Sequence, residues 1–295
     1  MSPPEPPAET AAGRSAQLVN LLDVQLQPDG SFLGSRQPGG RGRVFGGQVI
    51  AQGLMAAMRT VAPDRICHSL HAYFMRGGDE DHPIQFRVDQ DFDGGSFTTR
   101  RVTALQENRP ILTMGASFQR YEAGLEHQDA MPDVPPPEDL PDDIEQARQA
   151  LSPQRFNQIM RFRLNRPIEM RWVEPHHPRR PAPPVSHVWL KLAAPVTGDA
   201  NLHRAILAYA SDMALLGTST RPHAVGWEMP NFQSASLDHI LWIHDDVDMN
   251  DWLLYAMDSP WAARGRGFNR GRFYTRDGRL VARVAQEGLI RLRRS

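Results

Sequence analysis

Three side chains in the last third of the chain have the types and surroundings for acid–base chemistry. The first is Asp212. It lies in AILAYASDMALLGT (205–218), where apolar residues recur on nearly every side of what reads as a helix ending at Gly217. On a helical wheel Asp212 falls between Leu215 and Leu216, with Tyr209 nearby, so no polar face is open to it. An unpartnered buried carboxylate costs on the order of several kcal/mol, so this acid must be hydrogen bonded or hold its proton more tightly than usual. The second is Gln286, inside VARVAQEGLI. On a strand, Val284, Gln286 and Gly288 share one face, and if that face packs on the helix the amide points inward and needs partners. The third is Ser236, at the start of the strand in ASLDHILWIH. A carboxylate, a hydroxyl and an amide converging beside a buried helix can bind one water: the acid takes its proton and the other two orient it.

These side chains need a helix and strands to carry them, and the sequence supplies such a set twice. Each half opens with an apolar helix, GGQVIAQGLMAAMRTV or LHRAILAYASDMALLG. A strand beginning Ser-Leu follows, in HSLHAYFMR or ASLDHILWIH, then a shorter one, IQFRVDQ or DWLLYAM. Each half closes with two long strands around a tight turn. Asp277-Gly278 marks the second of these turns, and Pro28-Asp29-Gly30 predicts a further hairpin before the first helix. A helix that is apolar on most sides cannot face water. A strongly curved antiparallel sheet wrapped around it is the economical solution, the α+β architecture called a hotdog; the tandem copy makes a double hotdog. Aligning Met55-Ala56 with Met213-Ala214 places Leu54 opposite Asp212, so the fold itself does not require an acid there.

Proline divides the chain. MPDVPPPEDLPDD (131–143) and EPHHPRRPAPP (174–184) can be neither helices nor central strands. Between them, IEQARQALS and PQRFNQIMRF read as short helices. RPIEMRWV reads as a strand with Ile168, Met170 and Trp172 on one face. The expected organisation is a disordered leader over 1–15, an N-terminal hotdog over 16–125, a proline-rich connector over 126–184, and a C-terminal hotdog over 185–295 that carries the reactive groups.

Composition narrows the function. The chain has 33 Lys and Arg against 34 Asp and Glu, a net charge near zero, which gives no electrostatic case for nucleic acid or an anionic membrane. No run of roughly twenty apolar residues is present. The single cysteine, Cys67, fits a reducing compartment, and a cytoplasmic protein is expected. Hotdog proteins expose sheet edges, so at least a homodimer is expected.

Other residues have plainer roles open to them. Ser236 as a covalent nucleophile would need His239 as its base, and no G-x-S-x-G elbow is present. Cys67 reads as a small core residue. His176-His177, and His239 with His244, lack metal-ligand spacing, so no metal is expected. No cofactor is expected either, since GRGFNRG does not open a helix as a dinucleotide fingerprint must. Arg264, Arg266, Arg270 and Arg272 suit phosphate, although solvated strand arginines are the commoner case. Gly46 and Gly47 could offer helix N-terminal N–H groups to an anion or carbonyl; close helix–sheet packing is the simpler role.

VFGGQVIAQGL, YASDMALLGT, SLDHILWIH, DWLLYAMDS, RGFNRGRFYTRDGRLVA and VAQEGLIR together resemble the type II acyl-CoA thioesterase family, from about Leu18 to Arg291. The resemblance implies a double hotdog, an acyl-CoA substrate, and hydrolysis of fatty acyl-CoA to free acid and coenzyme A. It also implies a catalytic set of acid, hydroxyl and amide that falls on Asp212, Ser236 and Gln286. Serine stands here where some members carry threonine, which keeps the hydroxyl and loses the rotamer restriction. In the mechanism this implies, the acyl chain enters an apolar tunnel near the second helix, and backbone N–H groups or the Gln286 amide meet the oxyanion. An enoyl-CoA hydratase of the same architecture would resemble a D-x-N-P-x-H pattern, absent here. A non-catalytic acyl-CoA binder would have no use for a poised water.

Overall fold

The computed structural model describes residues 10–293 apart from 38–41, 152, 154–155, 158–159, 161–163, 176–179, 228 and 230. Two helices form its centre. Helix α1 (Ala11–Leu22) leads, capped by the Thr10 hydroxyl, and a short hairpin follows, β1 (Val24–Leu26) and β2 (Phe32–Gly34), around Pro28-Asp29-Gly30. Helix α2 (Gly46–Met58) precedes strands β3 (Ile66–Phe74), β4 (Ile84–Asp93), β5 (Phe97–Gln106) and β6 (Arg109–Gln119). The connector contributes α3 (Asp143–Ala150) and β7 (Ile168–Trp172). The second half holds β8 (Val185–Leu192), α4 (Ala200–Ser211), β9 (Phe232–Ser236), β10 (Asp238–Ile243), β11 (Leu253–Ala263), β12 (Arg266–Thr275) and β13 (Leu280–Leu292).

All strands join one antiparallel sheet in the order β1-β2-β4-β5-β6-β3-β10-β13-β12-β11-β8-β7, with β9 beside β13. The two halves run outward from the β3–β10 seam in matching order, and at that seam Leu70 pairs with Leu241. Nearly every residue of α2 is buried, as is each residue of α4 from His203 to Ser211, so both helices are enclosed as their all-round apolar faces require. Their close packing depends on Gly47: a Cβ there would fall against the Tyr209 carbonyl oxygen, a backbone atom that cannot move aside.

Several local expectations are revised. Residues 11–15, assigned to the leader, are the start of α1: Thr10 supplies the cap and buried Ser15 Oγ accepts from the Ala194 N–H at 2.9 Å. The rest of that leader, 1–9, lies outside the described residues, as does most of the segment near 153–162. β4 and β11 are as long as their neighbours; β11 takes up Pro260 through a register shift between Asp258 and Trp261. The largest revision concerns the segment 205–218. It does not continue as one helix to Gly217. α4 stops at Ser211, Asp212 is its C-cap, and Ala214 turns the chain through the left-handed region at φ 71° into a 3₁₀ helix, Leu215–His223. No Gly or Pro announces this stop. It arises because the following 3₁₀ segment packs on β11, β12 and β13, at the cost of about 1 kcal/mol for a non-glycine residue in that conformation. The pairing of Leu54 with Asp212 therefore fails. The C-cap of α2 is Arg59, ion-paired to Asp23 on the surface, so the first half carries no acid at the matching helix end.

Gly47→Ala is expected to lower the unfolding free energy by about 1–3 kcal/mol through overpacking between the helices. Gly115→Ala, whose Cβ would meet open space, should cause no comparable loss. Urea denaturation midpoints of the two variants check this.

Candidate active site

Asp212, Ser236 and Gln286 come together where α4 ends. Gln286 Nε2 donates to Asp212 Oδ1 at 2.6 Å, and Ser236 Oγ donates to the same oxygen at 3.3 Å. The Asp212 side chain is 5 % exposed, and Gln286 1 %.

Each side chain is aimed by a specific local feature. The early stop of α4 turns the carboxylate off the helix end rather than leaving it on a helical face. Gln286 points inward because β13 keeps Val284, Gln286 and Gly288 on its buried face, as the alternation requires. Ser236 is aimed by a bulge. It pairs with Gly288, whereas Ile240 pairs with Ala285, so the β9–β10 side carries one extra residue around Leu237. The ladder survives the break: the Leu237 N–H donates to Glu287 O, and its carbonyl accepts from the Phe74 N–H, both at 2.9 Å. Bulges of this kind re-aim side chains beside active sites.

A contribution comes from the other half of the chain. The start of α2 lies against Asp212: a Cβ on Gly46 would sit 2.6 Å from Oδ2, and the Gly47 N–H helps hold the negative charge. Gly46 and Gly47 thus serve close helix–helix packing and approach to the carboxylate as well as the helix–sheet packing expected of them, since a Cβ on Gly46 would also fall 2.9 Å from the Phe74 ring on β3. The positive end of α2 is near enough to offset the unfavourable position of a carboxylate at the negative end of α4. The anion that these helix N-terminal N–H groups suit is the chain's own Asp212.

Electrostatics favour a proton acceptor of intermediate strength. Burial raises the Asp212 pKa from 3.8 to about 6, while hydrogen bonds from Gln286, Ser236 and the Gly47 backbone pull the other way. His239, completely buried on β10, lies 3.9 Å from Asp212 through Nδ1, and burial pushes it down to about 3. It is neutral at ordinary pH, and at that separation the contact is not an ion pair. Tyr255, whose hydroxyl donates to Ser211 O at 2.8 Å, is held well above its usual range by burial.

The remaining candidates fall away from the centre. Burial pushes the Cys67 thiol up to about 12, which makes it an inert core residue. Arg266 pairs with Glu287, Arg270 with Asp258, and Arg272 with Asp129 and Asp258, while Arg264 occupies the tight turn before β12 at φ 52°. His176-His177 lies outside the described residues. His244 is half-buried, and burial lowers its pKa. Among the described residues no group of three or more His, Cys, Asp or Glu could hold a metal ion, and no helix is long and apolar enough to cross a membrane. Gln286 Nε2, which donates to Asp212 Oδ1, also lies 3.3 Å from His239 Nδ1.

A helix-wrapped antiparallel sheet in tandem defines a double hotdog, and here an acid, a hydroxyl and an amide meet at one buried point of it. The chain belongs to the acyl-CoA thioesterase family: residues 34–119 match the model of the acyl-CoA thioesterase N-terminal domain and 132–290 that of the C-terminal domain. It is 38% identical over 279 residues to acyl-CoA thioesterase 2 of Haemophilus influenzae, covering 93% of this chain and 96% of that protein. It is 35% identical to acyl-coenzyme A thioesterase 8 of Homo sapiens, covering 98% of this chain and 92% of that one. Among solved structures, the acyl-CoA thioesterase II TesB2 of Mycobacterium marinum superposes with a TM-score of 0.76 at 37% identity, covering 94% of this chain and 98% of that one. The protein is accordingly an enzyme that hydrolyses acyl-CoA thioesters.

The raised pKa has a sign for stability. The folded protein holds the Asp212 proton more tightly than the unfolded chain does. The group therefore costs nothing below the unfolded value of 3.8 and costs increasingly as pH rises to about 6. Asp212→Asn is expected to be more stable than wild type by about 2 kcal/mol in mildly alkaline buffer. The difference should shrink as pH falls through that window, as read from denaturant unfolding across pH.

Proposed function

We propose that hydrolysis proceeds by a water activated at Asp212, with no acyl-enzyme intermediate. The observation that carries this is a carboxylate 5 % exposed, with its pKa raised to about 6, bonded to both Gln286 and Ser236. A base with this pKa is ionised near neutrality and still strong enough to draw a proton from water as the water attacks. The water oxygen bonds to the thioester carbonyl carbon, and its proton passes to Asp212. Collapse of the tetrahedral intermediate breaks the carbon–sulfur bond and releases coenzyme A, whose thiolate takes the proton. The Gly46 N–H, at the start of α2 beside the carboxylate, is the donor for a developing oxyanion.

Covalent catalysis by Ser236 fits less well. Its hydroxyl proton is directed at Asp212 and not at His239, which is neutral and engaged elsewhere. The acyl chain runs along the partly buried apolar residues that adjoin Asp212, notably Phe45, Phe74 and Met213. The substrates are fatty acyl-CoAs. The protein acts in the cytoplasm as a homo-oligomer, in keeping with the position of β1 at the end of the sheet and with Leu26, 67 % exposed on it.

Asp212→Asn is expected to lower kcat by about 10²–10⁴-fold with the fold intact. Ser236→Ala, which removes one long hydrogen bond to the carboxylate, should cost about tenfold. Release of free coenzyme A from a panel of acyl-CoAs, followed with a thiol reagent, measures both. A wild-type rate in Asp212→Asn, or an acyl-enzyme burst on rapid quench that Ser236→Ala abolishes, would overturn the mechanism.

A further inference from the structure

His239 sits at the centre of the site with no part in the chemistry so far, and its hydrogen bonds determine where its proton must be. Ser211 Oγ is 2.9 Å from Ala208 O and 2.8 Å from His239 Nε2. A carbonyl only accepts, and the Ser211 hydroxyl is placed to give its one proton to Ala208 O. Ser211 Oγ is then left to accept, and the imidazole must carry its hydrogen on Nε2. A neutral imidazole has only one N–H, which makes Nδ1 a lone pair. That lone pair faces Gln286 Nε2 at 3.3 Å and accepts its second hydrogen, the first being taken by Asp212 Oδ1 at 2.6 Å. Gln286 Oε1 is buried with no partner among the described residues.

We infer that His239 is the positioning residue of this site: held as the Nε2–H tautomer by Ser211, it accepts one Gln286 N–H and so fixes which end of that amide faces Asp212. The inference rests on the reading of Asp212 as the base. With both amide hydrogens engaged, Gln286 steadies the charge of Asp212. A reversed amide would set Oε1 against the carboxylate, which repels it, and would remove the donor that steadies its charge. The buried titratable groups facing Asp212 are His239 on β10 and Tyr255 on β11, both neutral, whereas Asp238 binds the Glu287 N–H at the half-buried edge of β10.

The tautomer can be observed directly. In full-length protein carrying ¹⁵N-histidine, long-range ¹H–¹⁵N correlation spectra should show His239 protonated on Nε2 and bare on Nδ1 from mildly alkaline pH down to about pH 5. The His239 signals are assigned by their loss in His239→Asn. An Nδ1–H tautomer, or an imidazolium near neutrality, overturns the inference. Kinetics supply the second reading. Asn places its Oδ1 where Nδ1 stood, so His239→Asn should keep kcat within about tenfold, while His239→Leu should lose on the order of 10²-fold in kcat with KM little changed. The acidic limb of the Leu variant should also move to higher pH, because a slack Gln286 no longer steadies the carboxylate charge. A Leu variant that is only less heat-stable, with kcat and limb unmoved, shows a packing role and overturns the inference. Should His239→Leu fail to fold, Ser211→Ala removes the Nε2 acceptor and should give mixed tautomers and the same upward limb. If Asp212→Asn retained the wild-type rate, the base would be wrong while the tautomer measurement still stood.

Discussion

A carboxylate held at the meeting of two helix ends is the constraint on which the site depends. Asp212 sits at the negative end of α4, in a place where burial alone would keep it protonated. The start of α2, reaching across from the other half of the chain, supplies a positive helix end and a backbone N–H, and Gln286 and Ser236 supply the remaining donors. The outcome is an acid whose pKa comes to about 6, neither locked in its neutral form nor fully stabilised as an anion. The glycines at 46 and 47 follow from this: any side chain there would push the α2 terminus away from the carboxylate and from α4.

Much of this was legible from residue types. The two apolar helices, the tandem strand pattern, the Asp277-Gly278 turn and the inward face of Gln286 could be read because burial and period two or 3.6 leave a direct mark on sequence. Asp212 and Gln286 stand out for the same reason, since each interrupts an apolar run, whereas Ser236 stands out only by its place at the start of a strand. What escaped was set by tertiary packing. The end of α4 at Ser211 has no breaker in AYASDMALL, because the turn at Ala214 is imposed by the 3₁₀ segment seated on β11, β12 and β13. The bulge at Leu237 likewise leaves no trace in SASLDHI. The boundary of the leader was misplaced because Ala11–Ser15 are small and polar, and only Thr10 hints at a helix start.

His239 and Ser211 show a different limit. Their types were visible, yet their importance lies in hydrogen counts that need distances. A histidine beside an aspartate invites the reading of an ion pair or a nucleophile's base. Complete burial and the Ser211–Ala208 contact point instead to a neutral ring that directs its lone pair at an amide.

Joining both halves in one polypeptide has a further consequence. Two identical chains related by a twofold axis would carry the same residue at both helix ends, and a destabilising acid would be incurred twice. Here one end has Asp212, and the other has Arg59 paired with Asp23 on the surface. Covalent linkage releases one copy from the chemistry, leaving it free to act as the scaffold that presents α2 to its sibling. Among the described residues, each polypeptide therefore carries this buried acid at one of its two central helix ends and not at the other.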